Sequence, residues 1–362
     1  MFEIQKKELI TILESINNKF FFIPDIKQYV DKVSKYGECL VRRDQDGELK
    51  GLLIFYNNRP FVYATMLWTR EDCRGQGIAT QLFIELNEKN NKDILLEANV
   101  SNPSKRILQR LNYKDLKLNG EQMTMIYAKR LAIMQPYVFP YLGYFHLIEA
   151  SSQIVFYDDV NFIKGGWINR NKILVNGEEL LFTIPLKKAS PNKKINEVEL
   201  TLNTKFVKTF LKQIKSAYSK APFFNDVFPI ILELFSHNNY PSVSDFAIKS
   251  ILLVYEYLNM PIKWDKSSRM LPNTTTLKKE ERIIEFCKTY GFNKYVNLSG
   301  GKELYSKDYF KENDVELTFI ESQFETYDQF NQDFVPGLSI IDVLMFNDKQ
   351  KVRDYIRSYK LV

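Results

Sequence analysis

The chain has 362 residues, 45% hydrophobic and 26% charged, with a formal net charge of +6. At about 150 residues per domain this length suggests two domains, each able to bury a core, and no tract is biased enough for disorder. The charge excess is spread thinly, 21 basic against 17 acidic residues in 1–130 and 29 against 27 thereafter, with no basic block, so nucleic acid is not an expected partner.

Cys39, Cys73 and Cys287 are odd in number, far apart and in no CxxC pair. That argues against a disulfide framework or a thiolate zinc site and fits a reducing, cytoplasmic setting. With His146 and His237 the only histidines, no metal is expected. Glu3, Lys6, Lys7 and Glu8 stand where a signal peptide needs an apolar core, and no apolar run of about 18 residues occurs, so no membrane insertion is expected.

Residues 5–17 and 25–36 carry helical stripes, Leu9, Ile12, Leu13 and Ile16 in the first and Ile26, Tyr29, Val30 and Val33 in the second, with Gly37 as the stop. Cys39 to Arg43 and Leu49 to Tyr56 flank Asp46-Gly47, a hairpin signal, and Asn57-Asn58-Arg59-Pro60 turns into a third strand at 61–69. Arg74-Gly75-Gln76-Gly77-Ile78-Ala79 follows, then a helix from 76 to about 90 with Ile78, Ala79, Leu82, Phe83 and Leu86 on its stripe. Glycines in such a turn let the backbone approach a ligand, and free N–H groups at a helix start make an anion site, which suits a diphosphate. Ile94 to Val100 reads as a strand, Asn102-Pro103-Ser104 opens a helix through Leu111, and 113–118 with 122–128 form a hairpin around Asn119-Gly120.

This element order, with the RxxGxA-like loop at 74–79, resembles the GNAT acyltransferase superfamily over residues 1–130. The resemblance implies a mixed, splayed sheet and acyl-CoA as donor, with Arg74, Gly75, Gln76, Gly77, Ile78 and Ala79 at the diphosphate. Backbone groups of Leu67, Trp68 and Thr69 would pair with the pantetheine arm. Asn102, Ser104 and Lys105 match positions that contact pantetheine or hold the helix, and helix capping is an equal reading of Asn102. Many members carry a tyrosine acid midway along this last helix, where Leu108-Gln109-Arg110 stands here.

Lys129-Arg130 leads into Leu131-Ala132-Ile133-Met134 without a flexible tether, so two docked domains, 1–130 and 131–362, are expected. Gln135-Pro136-Tyr137, Phe139-Pro140-Tyr141, Gly143-Tyr144-Phe145-His146, Tyr157-Asp158-Asp159-Val160 and Trp167-Ile168-Asn169-Arg170-Asn171 follow. With Asn297-Leu298-Ser299-Gly300-Gly301, Phe334-Val335-Pro336 and Leu338-Ser339-Ile340-Ile341-Asp342, they resemble the WbqC-like family, associated with O-antigen and related surface sugars. Gly337 stands where that family pattern suggests an aromatic residue. Taken as residues alone, Ile154 to Tyr157 is a buried-type strand, and Asp158 and Asp159 lie just beyond it, where open α/β sheets bind ligands; turn capping is the other reading. Trp167, Tyr137, Tyr141 and Tyr144 can stack on a base or sugar or serve as core. Arg170 with Ser299 and Gly300 fits either a diphosphate contact or a plain turn, and Gln135 and Asn169 complete the substrate-binding set. Residues 206–218, 227–235, 243–258 and 279–290 read as amphipathic helices, giving an α/β chain whose second domain has a helical middle.

The fused pair resembles bipartite nucleotide-sugar N-acyltransferases of the FdhC type. That implies acyl transfer, acetyl or a short hydroxyacyl such as 3-hydroxybutanoyl, to a nucleotide-linked aminosugar, with dTDP the expected nucleotide and oligomeric state open. Other readings are a GNAT protein N-acetyltransferase with a recruiting second domain, or a coenzyme A-binding scaffold. For the base, His146 is the leading candidate near neutrality, against a histidine that merely packs, with Asp158 or Asp159 as substitutes.

Overall fold

The computed structural model describes residues 4–16, 23–57, 61–90, 92–99, 102–111, 113–236, 239–330 and 333–362. The turn at Asn58-Arg59-Pro60, the strand end at Val100 and His237 lie outside the described residues. The chain divides into two compact units, Met1–Lys129 and Arg130–Val362. No helix among the described residues is long and apolar enough to cross a membrane.

The first unit runs α1 (Lys6–Ile16), α2 (Ile26–Tyr36), β1 (Glu38–Arg43), β2 (Leu49–Asn57), β3 (Val62–Thr69), α3 (Ile78–Lys89), β4 (Ile94–Asn99), α4 (Ser104–Arg110), β5 (Lys114–Asn119) and β6 (Gln122–Tyr127). Its sheet has the order β1-β2-β3-β4-β6-β5, with only the β3–β4 pair parallel. Alternation along β2 divides the core between the two faces. Leu52 and Ile54 pack with α1 and α2, while Leu53 and Phe55 pack with Ile78, Leu82 and Phe83 of α3. Thr65 is an extra residue in β3, since Met66 pairs with Ile54 but Ala64 with Phe55. A bulge of this kind bends its strand.

The second unit runs β7 (Leu131–Met134), α5 (Leu142–Ala150), β8 (Gln153–Phe156), β9 (Arg170–Val175), β10 (Glu178–Thr183), β11 (Leu186–Lys187), β12 (Glu199–Leu200), α6 (Thr204–Tyr218), α7 (Phe224–Ser236), α8 (Val243–Tyr257), β13 (Trp264–Lys266) and α9 (Ser267–Met270). It continues through α10 (Lys279–Thr289), β14 (Lys294–Leu298), α11 (Lys307–Glu312), β15 (Glu316–Ser322), α12 (Ile340–Phe346), α13 (Lys349–Arg357) and β16 (Tyr359–Leu361). The main sheet is β13-β8-β7-β14-β15-β16, parallel except for β16. Such a sheet is covered on both faces. Ala132, Ile154, Phe156 and Val296 join the core built with α5, α8, α12 and α13, and Leu131, Ile133, Val155 and Tyr295 face Ile283, Phe286 and Phe310 of α10 and α11. From β7 the chain first adds β8 and β13 on one side and then returns to add β14 and β15 on the other. The β7–β14 boundary is therefore a topological switch point.

Candidate active site

In the first unit the parallel ladder between β3 and β4 covers only Val62–Ala64 against Ile94–Leu96, although β3 continues to Thr69 and β4 to Asn99. Past the Thr65 bulge the two strands part. Leu67, Trp68 and Thr69, each partly exposed, stay paired to β2 on one side and leave a backbone edge on the other. An extended amide-bearing ligand can add to such an edge.

Beyond β3, Gly75 and Gly77 both take φ +79, and a Cβ at either position meets nothing within 4 Å, so the loop is open to solvent. Those left-handed conformations favour glycine. Gly77 precedes α3 with no side-chain cap, leaving first-turn N–H groups for an anion. Arg70 steadies the approach: its Nε donates to Asp72 at 2.8 Å and its Nη1 to Asp44 at 3.1 Å. Gln76 donates to the Asp72 carbonyl, and Arg74 lies 3.6 Å from Glu71. Ile78 and Ala79 begin α3, and Ile78 turns into the core. Backbone amides and small residues thus make a cradle that fits a diphosphate.

Ahead of α4 the Asn102 Oδ1 accepts from the Ser104 N–H at 2.9 Å and from its hydroxyl at 2.7 Å, an Asx-type turn into the helix. Lys105 is half-buried one position on. Leu108 of the Leu108-Gln109-Arg110 string is buried. The nearest following phenol, Tyr113, donates to Asn87 at 2.7 Å, and burial raises its pKa well above the usual tyrosine value.

In the second unit the β7–β14 ladder stops at Ala132 and Val296, whereas the strands run on to Met134 and Leu298. Gln135 and the Ser299-Gly300-Gly301 turn stand at the carboxyl ends of these parting strands. Ser299 donates to the Ile320 carbonyl, and a Cβ at Gly300 would meet nothing within 4 Å. The Tyr144 hydroxyl donates to the Gln135 carbonyl at 2.8 Å, and the Tyr137 and Tyr144 rings pack at 5.5 Å. Tyr144 is fully buried and so belongs to the framework, whereas Tyr137 and Tyr141 are partly exposed. Gly143 makes room for the Tyr141 ring, since a Cβ there would lie 2.4 Å from it.

The remaining strings hold backbone. Phe139 sits at φ 40, a conformation that bulky residues resist, and its carbonyl accepts from Asn171 Nδ2 and from the Ser339 hydroxyl, each at 2.7 Å. Asn169 is buried and donates to the Ile184 carbonyl at 2.8 Å. Trp167 is 43% exposed, with the Arg170 guanidinium 5.5 Å over its ring and donating to the Gly165 carbonyl. Asp342 accepts from Tyr218, Tyr327 and Gln329, and burial raises its pKa. Gly337 is an exposed turn position at φ +72, where an aromatic residue would be strained.

His146 requires a correction. It is fully buried on α5, its Nε2 bonded to the Tyr355 carbonyl at 2.9 Å and its ring packed by Phe324 and Tyr359. Burial lowers its pKa to about 4. A ring with no exposed surface cannot take a proton from a bound amine, so the packing reading of this histidine prevails.

Asp158 and Asp159 are drawn into a cluster. Asp158 accepts from the Ser268 N–H at 3.0 Å and hydroxyl at 2.8 Å. Ser267 accepts from the Asp158 N–H at 3.1 Å and donates to Asp159 at 2.5 Å. Arg282, over the Tyr157 ring at 4.9 Å, forms a buried ion pair with Asp159 at 2.6 Å. Asp158, at 1% exposure, has both carboxylate oxygens bonded by Ser267 and Ser268. Asp159 lines an open surface pocket of about 330 Å³ with Lys194, Asn196, Glu197, Ser268, Pro272 and Thr275. Sequence reasoning missed Ser267, Ser268, Arg282, Lys194 and Asn196. Only Arg282 left a trace, as a charge on the apolar stripe that continues through Phe286.

Residues 135–354 match the WbqC-like protein family, and residues 9–108 match the acetyltransferase (GNAT) family. Over 235 residues the chain is 26% identical to the uncharacterized protein Rv1507c of Mycobacterium tuberculosis, covering 63% of this chain and 98% of that one. Arabidopsis thaliana NAA60 in complex with acetyl-CoA is similar at 16% identity, over 35% of this chain and 94% of that chain, with TM-score 0.29. An acetyltransferase from Thermus thermophilus is similar at 15% identity, over 35% and 94% of the two chains, with TM-score 0.30. The aminoglycoside 6'-N-acetyltransferase complexed with coenzyme A is similar at 14% identity, over 34% and 89%, with TM-score 0.30.

Proposed function

The chain belongs to the WbqC-like protein family and carries a GNAT-type domain ahead of that match; from this premise we propose that it is an N-acyltransferase that moves a short acyl group from acyl-CoA to the amine of a nucleotide-linked aminodeoxyhexose. The observation that carries the donor half is the pairing of two features in the first unit: β3 and β4 part beyond Ala64 and Leu96, and α3 starts uncapped behind Gly75 and Gly77. An open amide edge suits pantetheine, and an uncapped helix start suits a diphosphate.

The acceptor half rests on the second unit, where Gln135, Ser299 and Gly300 flank the switch point at which parallel α/β sheets hold nucleotides. In the reaction the neutral amine attacks the thioester carbonyl, the C–S bond breaks, the thiolate leaves as coenzyme A and the amine proton passes to solvent. The protein's part is to hold both reactants in line and to bind the amine uncharged.

The test is mass spectrometry of the full chain against a panel of dTDP- and UDP-linked aminosugars with acetyl- and 3-hydroxybutanoyl-CoA. An acyl mass increment on a nucleotide aminosugar is the expected result. No increment across the panel, from protein that still binds coenzyme A by calorimetry, would sink the acceptor assignment.

A further inference from the structure

The cavity at Asp159 lies beyond the carboxyl ends of β8 and β13, two adjacent parallel strands. Its walls are tied by main-chain bonds. The Asn196 N–H donates to the Asp158 carbonyl and the Ile195 N–H to the Val160 carbonyl, each at 2.9 Å, while Glu197 folds back to accept from the Lys194 N–H at 2.9 Å. The Asp159 carboxylate is immobilised from behind by Ser267 and Arg282. The site is thus built before any ligand arrives.

Its lining has an unusual balance for an anion pocket. Two carboxylates, Asp159 and Glu197, stand against one ammonium, Lys194, and Arg282 is already paired with Asp159. A diphosphate needs a surplus of cations and N–H donors. Sugar hydroxyls each donate and accept, and they match a lining in which a carboxylate accepts, an ammonium donates, and Asn196, Ser268 and Thr275 do both. The pocket is an open depression of about 330 Å³, wide enough to seat one hexose ring.

We propose that this cavity is the glycosyl subsite of the second unit, taking a hydroxyl-bearing aminodeoxyhexose ring through Asp159, Lys194 and Asn196 while the nucleotide diphosphate binds elsewhere. The proposal rests on the aminosugar reading above and specifies where the sugar ring is held.

The probes are a methyl glycoside of an aminodeoxyhexose, dTDP and coenzyme A, each titrated into the full chain and followed by saturation-transfer NMR and calorimetry. The wild-type chain binds the glycoside at millimolar concentration. Lys194→Ala removes one hydrogen-bonding partner and weakens glycoside binding by about tenfold. Asn196→Trp fills the cavity and abolishes it. Both variants keep wild-type affinity for dTDP and coenzyme A and an unchanged circular dichroism melt. The subsite is overturned if the wild-type chain does not bind the glycoside, if both variants bind it as the wild type does, or if dTDP binding falls in parallel. Should acyl transfer fail across the substrate panel while glycoside binding still follows the cavity variants, the transferase reading falls and the sugar subsite stands.

Discussion

At the scale of single residues, charge burial decides which groups can act. Arg282 and Asp159 are 3% and 4% exposed in their side chains, and removing one member of such a pair leaves the other charge uncompensated. Arg282→Leu is therefore expected to destabilise the chain by about 3–5 kcal/mol, measured by urea denaturation; a change no larger than that of an exposed arginine such as Arg269 would show the pair to be weakly coupled. His146 makes the opposite case, a titratable group kept neutral. Its folded pKa, about 4, lies below the unfolded value of about 6.5. Between these limits the unfolded chain binds the extra proton, so this residue's contribution is complete above the unfolded pKa and is lost as pH falls toward the folded one. His146→Phe should flatten the fall in melting temperature over that window, and kcat/KM of the acyl transfer should change by less than about threefold, since general-base removal typically costs about 10² or more. A wild-type pH dependence of melting in the variant would remove His146 as its cause. The two readings of this histidine, base or packing, could not be separated from sequence because Tyr141 to His146 looks like a ligand string, whereas all nine residues of α5 are buried and a short helix buried all round shows no polar face.

At the scale of elements, the donor cradle depends on how closely α3 seats on β2. A Cβ at Gly51 would lie 2.4 Å from Ile78 Cγ2 and 3.3 Å from Leu82, so Gly51→Val should push the first turn of α3 outward. Overpacking of this kind costs about 1–3 kcal/mol, and coenzyme A affinity should fall with it. Gly77→Asp adds strain at φ +79 and a negative charge beside the anion site, so it should abolish coenzyme A binding in protein that stays folded; near-normal affinity by calorimetry would overturn the loop assignment. Most of the first unit was legible in the sequence. The stripes at 5–17 and 25–36, the Asp46-Gly47 hairpin and the loop-then-helix at 74–90 are local signals, and α1, α2, β1, β2 and α3 stand where those signals place them. The helices of the second unit were legible for the same reason, at Thr204–Tyr218, Phe224–Ser236, Val243–Tyr257 and Lys279–Thr289. Its sheet was not. β7, β8 and β13 have three or four residues each, and β7 pairs with β14 at Leu131 and Tyr295 across a long insertion. No local periodicity carries a pairing of that range. The same holds for the cavity: Ser267 reaches Asp158 over a separation of 109 residues, and Lys194 and Asn196 belong to a short turn without a motif.

At the scale of the whole molecule, the cores close within the units. One pair of clusters draws all its buried residues from Ile4 to Tyr127, and the other three draw theirs from Leu131 to Ile356. A fragment of residues 1–129 thus retains the buried contacts of α1 to β6 and should fold, since hydrophobic burial supplies most of the stability. On the proposed function the same division separates the chemical tasks. The open β3 edge and the uncapped start of α3 belong to the fragment, whereas the parting of β7 from β14 and the Asp159 cavity do not. If acceptor recognition resides in residues 130–362, binding energy from the sugar and nucleotide is unavailable to the fragment, and that energy is what orients the amine for attack. The fragment should then keep the coenzyme A dissociation constant of the full chain, measured by calorimetry, because the donor-binding groups all lie within it. Its kcat/KM for a nucleotide aminosugar should fall by more than about a hundredfold. Comparable acylation by the fragment would place acceptor recognition in the first unit and leave the WbqC-like portion without a part in selecting the sugar.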